Sequence, residues 1–557
     1  MENNNSLARF ILAFSLFLFI SWIQSIQSPL AFLHESIYLS QPYDQKGTIK
    51  GGLYLLSYLF GVFTLLRVMS IRRAWLAWLL IPLIASLFAV DVFIQKIGSN
   101  PNGLSAEVLS IMLNEAGRAD NLWVYKTAFF YAALTFASIL LWVAIIRHLT
   151  PSRRYKRTYQ SLFLLMLAIL IAGGLVYKIP SITSQSYPAP IKTPLIIAEY
   201  LANHRQVPIR LLDKSIKPTR PTEYKTMVWI IDESISGDYL AINGYHKDTT
   251  PYLSSIHESP ALKNYGVVTP ISNCSNTSNL FLRIGLTSSI QQDFKQAKDS
   301  LPTIFQYAKQ ASFETYLIDA QISPGQLQNH LTSNDLKDID HNITFSRSFF
   351  PNQRDQKLAD KLKTILGTHD GKNRFVIAVK WGAHWPYPLA YPKHKTVFTP
   401  ATSESLTEMN EGNREILTNA YLNAIRHTVD DFFRDLLETP LQAGQLIFYT
   451  ADHGQSLFEK ADSPLTHCHY NTDPTQLPRG EFKVPLLVFT PNAKASFPSL
   501  ENRLYTQEQM FPTTLALFGY SQAIQTAYGP TLLEGSTLGY TESFVLDSGL
   551  KITLPKP

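Results

Sequence analysis

Cysteine and charge are both scarce in this chain. Its 557 residues include two cysteines, and 17% are charged, below the roughly 25% usual for soluble domains. Two cysteines exclude a disulfide-built scaffold and a zinc module made of thiolates. Charge of one sign is also missing from most of the length. The formal net charge is +6, but residues 1–178 hold 15 Lys and Arg against 7 Asp and Glu, whereas the remaining 379 hold 34 against 36. The last two thirds therefore offer no electrostatic basis for binding nucleic acid. With 45% apolar residues, disorder is excluded as well, and the length requires more than one core.

Hydrophobic length is abundant. Five runs, 8–27, 51–70, 74–95, 122–147 and 159–178, approach or exceed the roughly 20 residues that cross a bilayer. The first is too long and too aromatic for a cleaved signal peptide, and no small-residue cleavage site follows Ile26. Residues 1–178 are thus expected to form a five-span transmembrane domain. Arg67, Arg72 and Arg73 cluster between the second and third runs, and Arg147, Arg153, Arg154, Lys156 and Arg157 between the fourth and fifth. Basic short loops stay in the cytoplasm, so the N-terminus is expected inside and everything after about residue 179 outside, which in a Gram-negative cell is the periplasm. Asp91, toward the outer end of the third run, reads as solvated at the interface. The 96–121 loop reads as a short amphipathic helix with Leu104, Val108, Ile111 and Met112 on one face, either on the outer leaflet or packed as a connector.

Residues 179–226 carry seven prolines between Pro180 and Pro221 and read as an exposed linker, partly helical near 194–203. Beyond it, short apolar runs recur at Met227–Asp232, Thr315–Ile318, Phe375–Val379, Leu446–Tyr449 and Val484–Phe489. Helical patterns lie between them, at Thr303–Gln310 and Asn419–Leu437. This alternation predicts an α/β domain over 227–557 around a mainly parallel sheet, whose ligands bind at the carboxyl ends of the strands. Those ends carry Asp232-Glu233-Ser234, Trp381-Gly382-Ala383-His384 and Ala451-Asp452-His453-Gly454, with His467 and His469 shortly after. Carboxylates and imidazoles without thiolates suit Zn²⁺, with Mn²⁺ as the harder alternative.

At these residues the sequence resembles the membrane-bound phosphoethanolamine transferases, enzymes of the alkaline-phosphatase and sulfatase superfamily. MVWIIDESISGDYLAINGYHKDTTPYL (227–253) is similar to their first motif, an apolar strand followed by G-E-[ST], N-G-Y and T-T-P. ADHGQSLFE (451–459) is similar to S-D-H-G-E-S-L-G-E, and WGAHWPYP (381–388) to G-S-H-G-P-x-Y. The resemblance implies a metal on Glu233, Asp452, His453 and a Ser or Thr nucleophile. Within SNCSNTSNLFLRIGLTSS (272–289), Ser278 stands nine residues before Thr287, the family's spacing, with Thr277 as the alternative. His384 and either His467 or His469 are implied near the transferred phosphoryl group. The implied reaction moves phosphoethanolamine from phosphatidylethanolamine to lipid A, core sugars of lipopolysaccharide or another envelope glycan, through an ester on the nucleophile.

Some positions depart from the pattern. Asp232 replaces the family's usual Gly and is expected to face solvent. Cys274 and Cys468 are expected to pair in the oxidising periplasm, tying the nucleophile loop to the histidine loop, the alternative being two separate buried thiols. A glycerol-phosphate transferase or a sulfatase-like hydrolase shares the core, but Ser278-Asn-Leu-Phe-Leu-Arg283 lacks the Pro of the sulfatase pattern C/S-x-P-S-R and places its Arg one residue late. A non-catalytic envelope protein would not need Glu233, Asp452, His453 and a hydroxyl together.

Overall fold

The computed structural model describes residues 45–69, 74–96, 104, 109, 126–149, 156–178, 187, 189–204, 208–288, 294–346, 348–401, 411–459, 466–469, 474–498, 504–533, 543–546 and 551–553. The expected span at 8–27 and nearly all of the 96–121 loop lie outside them. The chain forms two compact units, Met1–Gln206 and Val207–Pro557.

In the first unit, apolar runs fold into helices α1 (Gln45–Met69), α2 (Ala74–Lys96), α3 (Lys126–Leu149) and α4 (Lys156–Lys178), at four of the five expected places. Within the described residues, the windows Trp78–Gln95 and Gln160–Lys178 are long and apolar enough to cross a membrane. Helix α2 packs along α3, and α1 along α4. Large apolar side chains remain on the outside, among them Trp78, Phe130, Leu141, Phe163 and Leu170. Water does not favour such a surface, but hydrocarbon does.

Two expectations change here. The segment read as an exposed linker, partly helical near 194–203, does hold a helix there, α5 (Ala189–His204), but the helix belongs to the first unit and buries Ala189, Ile191 and Ile196. Asp91 is not solvated either: it is buried, 2.6 Å from Lys192 of α5, and it accepts a hydrogen bond from the Leu104 amide at 2.8 Å. A lysine 101 residues further along had no visible connection to Asp91 in the sequence.

The second unit is built on a seven-stranded sheet. Its strands are β1 (Thr226–Asp232), β2 (Leu262–Val268), β3 (Phe313–Asp319), β4 (His341–Thr344), β5 (Asn373–Val379), β6 (Gln445–Ala451) and β7 (Val484–Phe489), in the order β2-β7-β6-β1-β5-β3-β4. Strands β6, β1, β5, β3 and β4 are parallel; β7 and β2 are antiparallel to their neighbours. The central strands β1, β6 and β7 are buried along their whole length, as expected of strands covered on both faces. Trp229 packs edge-to-face on Phe375 at 5.5 Å in the core. The five apolar runs mark the inner strands. The two strands that hydropathy misses are at the edges, where Lys263, Asn264 and Gly266 in β2, and the four residues of β4, need no continuous apolar face.

Candidate active site and metal centre

Parallel strands end on one side of the sheet, and the chemistry collects there. Glu233 follows β1, Asp452 and His453 follow β6, and His384 lies five residues past β5. The ligand atoms of Glu233, Asp452 and His453 all lie within 4.8 Å of one another, and all three residues are buried. His453 Nδ1 donates to the Gly454 carbonyl at 2.7 Å, so its Nε2 faces the carboxylates, 3.3 Å from Glu233 Oε1 and 3.7 Å from Asp452 Oδ1. Glu233 Oε1 accepts from Ser234 Oγ at 2.8 Å and Glu233 Oε2 from Gln321 Nε2 at 3.0 Å. Sequence reasoning missed Gln321, whose position two residues after β3 carried no motif.

The electrostatics call for a cation. Burial pushes the Asp452 carboxyl well up, and the charge of Glu233 adds to this. Burial acts on Glu233 too, but the hydrogen bond and charge of His453 outweigh it and hold Glu233 low. Burial lowers the His453 imidazole, yet Asp452 and Glu233 together raise it to about 9. Two carboxylates thus share one imidazole, and Asp452 Oδ2 is buried without a hydrogen-bond partner. An orphaned carboxylate oxygen beside a second carboxylate and an imidazole nitrogen whose proton a metal would replace fits a divalent cation.

The hydroxyl that the fold brings to this cluster is Ser275. Its Oγ lies 3.0 Å from His453 Nε2 and 3.2 Å from Glu233 Oε1. Helix α6 (Ser275–Ile284) begins there, capped by Cys274, and ends at Gly285 with φ +62°, the left-handed turn that favours glycine. Ser278, the expected nucleophile, is three residues on. A three-residue step turns about 300° and rises about 4.5 Å, which puts Ser278 on nearly the same side but one turn deeper. There it is fully buried and donates to the Ser272 carbonyl at 3.0 Å. Thr277 is also buried, its Oγ1 donating to Asn276 Oδ1 at 3.2 Å. Spacing counted back from Thr287 could not reveal where the helix starts. At its first turn the positive end of the helix dipole favours an anion.

The histidines differ in their surroundings. His384 is exposed and hydrogen-bonds the Trp385 carbonyl through Nδ1 at 2.6 Å. His467 stacks on His453 with centroids 4.2 Å apart, and burial followed by the His453 charge lowers its basicity. His469 pairs through Nδ1 with the buried carboxylate of Glu481. Cys274 and Cys468 form a disulfide, and the Cys468 amide donates to the Asn273 carbonyl at 2.9 Å, so the turn before Ser275 and the histidine loop are joined twice.

Asp232 corrects the remaining expectation. It does not face solvent but is fully buried, 2.6 Å from the equally buried Lys380, and accepts from Tyr449 at 3.0 Å and from the Glu233 amide at 3.1 Å. Burial pushes its carboxyl up to about 6 in spite of Lys380. Gly382 closes the same corner at φ +59°: a Cβ there would lie 2.3 Å from Asp232 Oδ1.

Comparison with known proteins agrees with this fold. A family model described as Sulfatase matches residues 225–520. The chain is 26% identical over 273 residues to the Kdo(2)-lipid A phosphoethanolamine 7''-transferase of Escherichia coli (strain K12), covering 47% of this chain and 44% of that protein. It is 24% identical over 313 residues to the phosphatidylethanolamine transferase Mcr-1 of Escherichia coli, covering 55% and 56%. The chain thus spans about half the length of these curated relatives. Among solved structures, the integral membrane lipooligosaccharide phosphoethanolamine transferase A (EptA) of Neisseria meningitidis superposes with a TM-score of 0.64 at 17% identity, covering 93% of this chain and 98% of that one, a likeness of fold.

Proposed function

The chain belongs to the sulfatase family, and from that premise we propose that it transfers phosphoethanolamine from phosphatidylethanolamine to a lipopolysaccharide acceptor, lipid A or core, or another envelope glycan. Ser275 is the nucleophile. The observation that carries this reading is Ser275 Oγ within 3.2 Å of both Glu233 and His453, at a helix N-terminus and beside the orphaned Asp452 Oδ2. Relatives named as phosphoethanolamine transferases support the group transferred. Glu233, Asp452, His453 and the Ser275 hydroxyl would hold a divalent cation, Zn²⁺ with Mn²⁺ as the alternative. When bound, it supplies charge neutralisation for the phosphoryl oxygens and acidifies the Ser275 hydroxyl. The positive end of α6 stabilises charge developing on the phosphoryl oxygens, and the exposed His384 is near enough for its charge to act on Glu233. The apolar first unit keeps the enzyme beside its lipid donor. We read it as five spans with a cytoplasmic N-terminus, in a bacterial inner membrane, with the second unit in the periplasm.

The test is mass spectrometry of the metal-loaded full chain after incubation with phosphatidylethanolamine. A phosphoethanolamine adduct is expected on Ser275. Ser275→Ala should abolish it and lower transfer at least about 1,000-fold, while Ser278→Ala keeps the adduct. An adduct on Ser278 would overturn the nucleophile assignment, and no adduct with metal bound would overturn the transferase reading.

A further inference from the structure

Arg210 lies six residues past the end of α5 and is buried despite its charge. Its Nη1 donates to both carboxylate oxygens of Asp335, at 2.8 and 3.0 Å, and its Nε and Nη2 donate to the Lys298 carbonyl at 3.2 and 3.0 Å. The strap on which it sits is fastened at further points. The Pro208 carbonyl accepts from Asn334 Nδ2 at 3.3 Å, the Arg210 carbonyl from Gln306 Nε2 at 2.7 Å, and the Asp213 carbonyl from Gln310 Nε2 at 3.2 Å. Successive side chains of an extended segment point to opposite sides, so burying Arg210 turns Ile209 and Leu211 outward, where they are 66% and 73% exposed. A single exposed apolar side chain is ordinary. Two on one fastened strap are not, and among the described residues of the second unit no other two exposed large apolar side chains lie so close in the chain.

The strap meets the end of the sheet that carries the chemistry. Gln306 stands in the first turn of helix α7 (Ile304–Gln310), which packs along β3 and enters it after two residues. With so short a connection the helix runs antiparallel to the strand. Its first turn therefore lies at the carboxyl ends, as Glu233, Asp452 and His453 do. The charges of Asp335, Arg210 and Asp319, the last residue of β3, all act on Arg283 of α6, which puts the Arg210 clasp at the same end. The strap is also on a short tether. Ile209 follows the last residue of α5 by five positions, and five residues reach at most about 18 Å.

We propose that Ile209 and Leu211 enter the outer leaflet of the membrane and hold the carboxyl ends of the sheet toward the phospholipid that carries the donor headgroup. The inference rests on the first unit spanning a membrane, as read above. Two side chains would bind a bilayer only weakly from solution, but the tether makes the contact intramolecular. The Arg210 clasp has already ordered the strap, so little freedom is lost when the pair enters lipid.

Both native cysteines are in the disulfide, so one added thiol can carry a nitroxide. The full chain with Leu211→Cys is labelled and placed in nanodiscs of phosphatidylethanolamine and phosphatidylglycerol. Collisions with oxygen, which concentrates in hydrocarbon, are compared with collisions with a water-soluble nickel chelate. Leu141→Cys on α3 and Val397→Cys on the second unit are the references, both positions being exposed. The Leu211 label should meet oxygen more than nickel, as at Leu141, and the Val397 label the reverse. A Leu211 label open to nickel lies in water, and one shielded from both reagents is covered by protein, of this chain or of a second copy. Either result overturns the inference. A Leu141 label open to nickel overturns the membrane reading and the inference together. In kinetics, Ile209→Asp combined with Leu211→Asp should raise KM for bilayer phosphatidylethanolamine at least about 10-fold, but not KM for a water-soluble short-chain analogue. Equal rises for the two donors would mean a distorted fold and would count against the inference. The label needs no turnover, so an inactive wild type strikes the transferase reading alone.

Discussion

Each unit buries an Asp–Lys pair at 2.6 Å, and the two pairs act differently. Asp91 and Lys192 join helices α2 and α5, 101 residues apart in sequence, and besides each other they involve the Leu104 amide. Asp232 and Lys380 join the ends of adjacent parallel strands β1 and β5, and the ammonium also meets the Thr428 carbonyl and the Phe432 ring at 4.2 Å. The first pair fastens a helix. The second lies directly behind Glu233, whose amide donates to Asp232. Because Lys380 balances Asp232, the negative charge facing the cluster is that of Glu233 and Asp452, a match for one divalent cation. A buried ion pair is thus a fastening in one unit and a charge-setting support for the site in the other.

The comparison breaks first at Lys380. Replacing it with Met strands a buried carboxylate beside the metal ligands, and unfolding of the full chain in micelles should show a loss of about 3–5 kcal/mol. Adding Asp232→Asn should restore much of it. Equal losses in single and double variants would mean that charge balance at this corner is unimportant.

Asp319 sharpens the contrast, because it is a buried carboxylate held by amides. The Gln321 backbone amide donates at 2.8 Å and the Gln328 side chain at 3.0 Å. Burial, outweighing these bonds, pushes its carboxyl up from 3.8 to about 6. A raised folded-state value means that the folded protein holds the proton more tightly. The stability contributed is therefore full below pH about 4 and is lost as pH rises through 6, by about 3 kcal/mol. Asp319→Asn should flatten that part of the stability–pH curve, and an unchanged slope would show that other groups produce it.

The smallest effect is expected at Lys192. Polar pairs inside helical membrane proteins couple by roughly 0.6 kcal/mol and at most about 1.7, so a Lys192→Met, Asp91→Asn double-mutant cycle should give about 1 kcal/mol. A coupling as large as that at Lys380 would erase the distinction between the two pairs.

How much of the site was legible depended on whether a residue's role was local. Glu233, Asp452 and His453 stand directly at the ends of apolar strands, and a parallel sheet brings such ends together whatever the loops do. Ser275 was not legible, because the choice between it and Ser278 turns on where α6 begins. Asp232 and Asp91 looked like surface charges because their lysines lie 148 and 101 residues away. Glu481 carried no motif, since it acts by reaching Asn273 and His469 at once.

The sequence by itself determined the division into an apolar basic third and a nearly neutral α/β remainder, the inner strands, and the three metal-ligand candidates. The division and the strands follow from hydropathy and periodicity, which act residue by residue along the chain, and the three ligand candidates from the family resemblance of the motifs at the strand ends. Tertiary structure alone decided which serine meets the cluster, which charges are buried and paired, and which histidine has a carboxylate behind it. Each of those is a distance between residues remote in the chain, set by the sheet order and by burial, where an unpaired charge costs too much to persist.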